Sequence, residues 1–236
     1  MISSNQELKP IIIAIDGFSS SGKSSMAKAL ARAIGYRYVD TGAMYRAVTF
    51  YAMQSRLIAP DGTVKEADLI AALPGLDIDF AVLPDGQHTL LNGADIEQQI
   101  RSLEVSAYVS TIAAIPAVRH DLVKRQQLYG RQKGIVMDGR DIGTTVFPQA
   151  ELKIYVNAPA EVRAERRFKE LAEKGVETTY EEVLENVRHR DHIDSTREES
   201  PLRRAADAID LDNGHMTIEE QNAWLIEQYK KAAAKE

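Results

Sequence analysis

The chain has 236 residues, 44% of them hydrophobic, which suffices for one substantial core and makes a single α/β domain with insertions the default. A formal net charge of -6 runs against the basic excess of nucleic-acid coats and membrane-surface proteins, so any anion site must come from local placement of Arg and Lys. Cys is absent, which excludes a disulfide framework, a thiolate metal site and a cysteine nucleophile. The start, MISSNQELKP, lacks the basic start and long apolar stretch of a signal peptide, so a cytoplasmic protein is expected.

Ile11–Ile15 is a short continuous apolar run of the kind found in buried parallel strands, far too short to span a bilayer. Gly17-Phe18-Ser19-Ser20-Ser21-Gly22-Lys23-Ser24 follows it and fits G-x-x-x-x-G-K-[ST], and Lys23–Ile34 then reads as a helix. Strand, glycine loop and helix together turn backbone N–H groups toward a polyphosphate. The helix N-terminus adds its partial positive charge. Lys23 can reach β- and γ-phosphates, and a hydroxyl from Ser24 or Ser25 can ligate Mg²⁺.

A second strand, Tyr36–Val39, leads into Asp40-Thr41-Gly42-Ala43-Met44-Tyr45-Arg46. Asp40 or Thr41 would cap the helix Ala43–Gln54, with Arg46 one turn in and positioned to reach back toward the sheet edge. A plain capped helix explains this stretch equally well. From Ala59 to Asn92 the turn signals Pro60-Asp61-Gly62, Pro74-Gly75, Pro84-Asp85-Gly86 and Asn92-Gly93 break the rhythm. Leu76–Phe80 and Gln87–Leu91 alternate around the third of these and read as an inserted β-hairpin.

Pro116–Tyr129 reads as a helix with its proline in the first turn. The strand Ile135–Met137 carries Asp138-Gly139-Arg140-Asp141-Ile142-Gly143-Thr144 at its carboxyl end, where open α/β sheets bind ligands. After the strand Leu152–Val156, charges of both signs crowd Ala160–Lys174 and Tyr180–Arg190. A solvated helical face laced with i,i+4 pairs is the ordinary reading of such runs. Arg163 and Arg167 fall on one face. Arg190-Asp191-His192-Ile193-Asp194-Ser195-Thr196-Arg197 adds further charge. A last strand, Ala208–Leu211, and helix, Thr217–Ala233, complete the pattern, with Trp224 and Tyr229 placed to pack that helix. His189-Arg190-Asp191 imitates a protein-kinase catalytic loop, but Thr196 stands where its asparagine belongs. His189, His192 and Asp194 make too small a ligand set for zinc.

The phosphate loop, DTGAMYR at Asp40–Arg46, DGRDIGTTVFP at Asp138–Pro148 and RDHIDSTR at Arg190–Arg197 stand in an order and spacing that resembles the bacterial cytidylate kinases along nearly the whole chain. The resemblance implies a P-loop kinase fold, with a five-stranded parallel sheet in order 2-3-1-4-5 flanked by helices. It implies one such domain over 1–236, with a core of 10–58, 110–158 and 205–236. Residues 59–109 would be a nucleoside-monophosphate-binding insert with the hairpin, and 159–204 a helical lid with flanking helices. The implied reaction is ATP + CMP ⇌ ADP + CDP, with dCMP as a further acceptor, Mg²⁺ as cofactor, no nucleic-acid or membrane partner, and a monomer.

Carried over residue by residue, Gly17, Phe18, Ser19, Ser20, Ser21, Gly22, Lys23, Ser24 and Ser25 hold ATP. Arg46, Arg140 and Arg197 grip the CMP phosphate, with Thr41 and Tyr45 beside Arg46 on the substrate side. Ser110, Arg119 and Asp141 read the cytosine edge, and Arg190 and Asp194 lie near the ribose hydroxyls. Arg163, Arg166 and Arg167 fall among the lid arginines that close over the transferring phosphoryl group. The catalytic set is Lys23, Arg140, Arg163, Arg167 and Arg197. The chain departs from many relatives at Phe18, where they have proline, and at Ser24-Ser25, where some have glycine-threonine. The motif places Ser24 next to the lysine and favours it as the magnesium hydroxyl.

These residue types suit the chemistry. A CMP phosphate, with a second pKa of about 6, is mostly dianionic at neutral pH and needs no general base. The difficulty is to bring two polyanions together, which arginine answers with permanent, planar, bidentate contacts. A carboxylate at Asp141 accepts from the cytosine N4 amine, where uracil presents an acceptor. Another small acceptor for a P-loop kinase would need a base if it were a hydroxyl. A nucleotide-dependent switch would need a guanine-specificity motif and switch loops, which the sequence does not offer.

Overall fold

The computed structural model describes residues 8–214 and 216–234; the first seven residues of the segment read as leaderless lie outside them. In chain order the elements are β1 (Ile12–Gly17), α1 (Lys23–Ile34), β2 (Arg37–Asp40), α2 (Thr41–Gln54) and α3 (Glu66–Ala72). Then come β3 (Ile78–Leu83), β4 (Gly86–Leu91), β5 (Ala94–Asp95), α4 (Leu103–Ala114) and α5 (Pro116–Tyr129). The chain finishes with β6 (Ile135–Gly139), β7 (Leu152–Asn157), α6 (Ala160–Glu173), α7 (Tyr180–Thr196), β8 (Ile209–Asp212) and α8 (Ile218–Ala233). These elements form two compact units: Met1–Asp40, Gln126–Thr196 and Ser200–Glu236 in the first, Thr41–Arg125 and Arg197–Glu199 in the second.

The first unit is built on an all-parallel sheet in the order β2-β6-β1-β7-β8. Counted among this sheet's own strands, that order is 2-3-1-4-5. The chain labels differ from it because the small sheet of the second unit takes β3, β4 and β5. Central β1 is apolar without alternation because neighbours cover both of its faces, and Ile13, Ala14 and Ile15 are fully buried. Met26, Ala27 and Leu30 of α1 and Leu225 and Tyr229 of α8 belong to the same core, with Trp224 packed against it. Tyr229 meets Tyr36 edge-on at 5.5 Å. Gly35, at φ 72°, ends α1 by donating to Ala31 O, and a Thr217–Glu220 capping box starts α8. A separate small core of Ala164, Leu171, Val183 and Val187 holds α6 against α7.

The second unit packs α2 against α4, burying Met44, Val48, Val105 and Ile112. Its three-stranded sheet has the order β3-β4-β5. The hairpin pairs Ile78↔Leu91 through Leu83↔Gly86, leaving Pro84 and Asp85 as its two-residue turn.

The boundaries of α1 and α5 agree with those expected from sequence, while other elements differ in instructive ways. Strand β3 runs Ile78–Leu83 rather than Leu76–Phe80, because the two-residue turn lets pairing continue to Gly86. Helix α7 continues to Thr196, one and a half turns past Arg190. Ser195 and Thr196 donate back to Asp191 O and His192 O, which keeps those hydroxyls within the helix. Helices α3 and α4 were missed, although Ser102 caps α4 by accepting from Val105 N. Among the described residues, no helix is long and apolar enough to cross a membrane.

Candidate active site

In the first unit, β1 delivers Asp16 and Gly17 to the carboxyl edge of the sheet, and the loop from Phe18 to Gly22 turns into α1. Only glycine fits at 17: φ is 152°, and a β-carbon would lie 2.5 Å from Val156 O. At Gly22, with φ 87°, a β-carbon would meet Asn213 Nδ2 at 2.7 Å. Asn213 Nδ2 in turn donates to Ser21 O at 2.7 Å, fastening the loop to the residue just after β8. Ser21 Oγ and Lys23 Nζ both donate to Phe18 O, at 3.0 and 2.9 Å, closing the loop on itself. Gly22 caps α1 without a side-chain hydrogen bond, and no acidic residue stands in the first turn. This is the start of a helix suited to an anion. Among the described residues, the buried Ser19 Oγ has no hydrogen-bond partner.

Lys23 is buried. Burial pushes its ammonium down to about 7, and the Arg140 charge adds to this, while the carboxylates of Asp138 and Asp40 oppose it. Asp40 and Asp138 stand abreast on the parallel strands β2 and β6. Asp138 accepts from Ser24 Oγ and from Tyr38 OH, both at 2.7 Å. Its carboxyl is raised by burial and then by the neighbouring Asp40 charge. Two buried carboxylates beside a serine hydroxyl form a hard-oxygen surround suited to a divalent cation. Ser25 is exposed. Among the described residues, no group of three His, Cys, Asp or Glu is arranged to hold a metal ion.

Arg140, at the end of β6, donates from Nε to Asp194 Oδ2 of α7 at 2.8 Å. Burial works against its charge, and Asp194 more than offsets that, raising its pKa. Arg190 is buried on the same helix; burial, then the charge of Arg140, lowers it to about 10. Buried Asp141 opens the five-residue π-helical turn Ile142–Val146, whose Thr145 N donates to Asp141 O at 2.8 Å. The α6 arginines have distinct surroundings. Arg163 is buried, donates to Ala158 O, to Ser19 O of the loop and to both carboxylate oxygens of Asp191, and stacks over Phe18 at 5.1 Å. Arg166 donates to Asn213 O at 2.6 Å, and Arg167 to Glu170 Oε2 at 2.9 Å.

The second unit brings together residues from three helices. Thr41 and Tyr45 of α2 are buried, and Arg46 donates to Ser106 Oγ of α4 at 3.0 Å and to Ile100 O at 3.4 Å. Those bonds lie within this unit, whereas the sequence had suggested that Arg46 reaches back toward the sheet edge. Ser110 is buried one turn further along α4. Arg119 of α5 is only 1% exposed, donates to Ala113 O at 3.1 Å and stands over the Tyr45 ring at 5.2 Å. A cation buried this deeply is costly unless something anionic or strongly polar faces it. Buried Arg197 donates from Nε to Glu199 O at 3.2 Å.

Sequence reasoning passed over Asp16, Tyr38 and Asn213, and treated Asp138 and Asp191 only as parts of motifs. The position of Asp16 just before the loop glycine, and the place of Asp138 at the head of DGRD, were the available signals. Asp191 lay within RDHIDSTR, and Tyr38 and Asn213 carry no such signal.

The profile of the family described as cytidylate kinase matches residues 13–231. A cytidylate kinase of Parabacteroides distasonis is 58% identical over 230 residues, covering 95% of this chain and 99% of the relative. One of Phocaeicola vulgatus is 58% identical over 227 residues, covering 95% and 99%. One of Porphyromonas gingivalis is 57% identical over 228 residues, covering 94% and 97%.

Proposed function

The chain belongs to the cytidylate kinase family, and from that premise we propose that it transfers the γ-phosphoryl group of ATP to CMP, and to dCMP, giving ADP and CDP or dCDP. The observation that carries the reading is the phosphate loop, with Lys23 and Ser24 at the start of α1, in a chain matched by the family profile from residue 13 to 231.

Gly17 to Ser25 hold the ATP phosphates, and Lys23 neutralises the β/γ oxygens. Burial pushes the Lys23 ammonium down to about 7, and a bound polyphosphate would favour its charged form. Mg²⁺ would be held by Ser24 Oγ, whose proton already points to Asp138, and it would supply charge neutralisation across the phosphates. Arg46, Arg140 and Arg197, with Thr41 and Tyr45 nearby, take the CMP phosphate. Asp141, Ser110 and Arg119 read cytosine. Arg190 and Asp194 take the ribose. Arg163 and Arg167 belong to the lid formed by 159–204, Arg163 steadying the loop through Ser19 O and Arg167 reaching the transferring group. No general base is required, because the acceptor oxygen is already anionic. Residues 59–109 act as the acceptor-binding insert of a single kinase domain. The protein works as a cytoplasmic monomer and takes neither nucleic acid nor membrane as a partner.

A coupled ADP-release assay with ATP and Mg²⁺ across CMP, dCMP, UMP, AMP and GMP tests this. Turnover concentrated on CMP and dCMP is expected; equal turnover of all five, or of none, overturns it.

A further inference from the structure

Asp16 has no part in the chemistry above, yet it is one of the most constrained carboxylates in the molecule. It is 5% exposed at the end of β1, with both oxygens engaged by consecutive backbone amides. Ile142 N donates to Oδ1 at 2.8 Å, and Gly143 N to Oδ2 at 2.7 Å. These amides open the turn that begins right after Asp141. The backbone of Asp141 sits at φ -145°, ψ 27°, outside the regular regions, so the two bonds beyond it fix where its carboxylate points.

The close approach is possible because residue 143 is glycine. A β-carbon there would stand 3.1 Å from Lys153 Cδ and 3.3 Å from Asp16 Oδ2. Gly139 of β6 lies beside Asp16 in the sheet register and adds no charge. Lys23 of α1 and Asp141 act on Asp16 by charge, with opposite signs, and Tyr155 of β7 responds to it. Burial outweighs the two amide bonds and pushes Asp16 up to about 7. The two buried amides that donate to Asp16 would lose their acceptors if an apolar residue stood there, so the expense of burying the carboxylate is tied to these two bonds.

We propose that Asp16 is a positioning residue for base recognition, holding the Ile142–Gly143 turn so that the carboxylate of Asp141 meets the exocyclic amine of a cytosine nucleotide. This rests on the reading of Asp141 as the cytosine acceptor. It also ties the residue just before the phosphate loop to the segment that discriminates the acceptor base.

The test measures kcat/KM for CMP and for UMP, with melting temperatures, in the full chain and in Asp141→Ala, Asp16→Asn and Gly143→Ala. An asparagine keeps one acceptor but turns an amine toward the other backbone N–H. Gly143→Ala shifts the same turn without changing a charge, and serves if Asp16→Asn does not fold. The CMP/UMP ratio is expected to fall about tenfold in Asp16→Asn and in Gly143→Ala. The double variant Asp16→Asn with Asp141→Ala should fall no further than Asp141→Ala alone. A merely structural role would lower both nucleotides together and leave the ratio unchanged. If Asp141→Ala lowers the ratio while Asp16→Asn, or Gly143→Ala in its place, does not, the role of Asp16 is overturned and the cytosine reading stands. If Asp141→Ala leaves the ratio unchanged, both fall.

Discussion

On the proposed reading, the phosphate loop of the first unit and the arginine cluster of the second are two ways to receive a phosphorylated nucleotide. The loop is a contiguous run whose own backbone supplies the cradle, closed on itself through Phe18 O and latched by Asn213. The cluster has no such continuity: Tyr45 and Arg46 come from α2, Ser106 and Ser110 from α4, and Arg119 from α5. The loop depends on glycine at defined positions. The cluster depends on individual side chains, above all a guanidinium buried almost completely. A backbone cradle suits any polyphosphate, whereas a cluster of particular side chains can select one nucleotide over another.

The largest effect that could break this contrast is at the loop. Lys23→Ala should lower kcat by about 100- to 1000-fold with the fold retained if, as proposed, Lys23 neutralises charge in the transition state. Near-normal turnover by single-turnover kinetics would remove the loop from the chemistry. Next comes Arg119→Met, which keeps the volume and deletes the cation. The KM for CMP should rise about tenfold or more, while that for ATP stays within about twofold. Equal changes in both would mean that Arg119 supports the fold rather than the acceptor.

A smaller effect is expected at the sugar. Asp194→Ala should change the CMP/dCMP ratio of kcat/KM by several fold, and it also strips Arg140 of its Nε partner. An unaltered ratio places Asp194 with Arg140 alone. The smallest is a pH effect on stability. Asp16 has a folded-state pKa of about 7 against an ordinary 3.8, so its contribution to stability is fully present below about 4 and is lost as pH rises through 7. The melting temperature of the wild type relative to Asp16→Asn should therefore drop by a few degrees between pH 5 and pH 8. A constant difference would mean that Asp16 stays ionised throughout.

The contrast also explains what could be read before the structure. The core strands and the loop were legible because their signals are local: an unbroken apolar run, two glycines at fixed spacing, a lysine beside a hydroxyl. The family resemblance supplied the order of the sheet, which local signals do not contain. Asp16 escaped notice because its meaning lies in two amides at Ile142 and Gly143, reached only when β1 and β6 pair. Helix α7 was expected to end at Arg190, although no glycine or proline stands between there and Pro201 to stop it. Helix α4 was overlooked between strong turn signals, although Ser102 marks its start.

The central claim is that the loop serves the donor and the buried arginine cluster the acceptor. Calorimetric titration of CMP, and separately of ATP with Mg²⁺, into Lys23→Ala and Arg119→Met tests it most directly. The account predicts that Lys23→Ala keeps its affinity for CMP and loses ATP, and that Arg119→Met does the reverse. Loss of both ligands in both variants, with the fold intact, would contradict it.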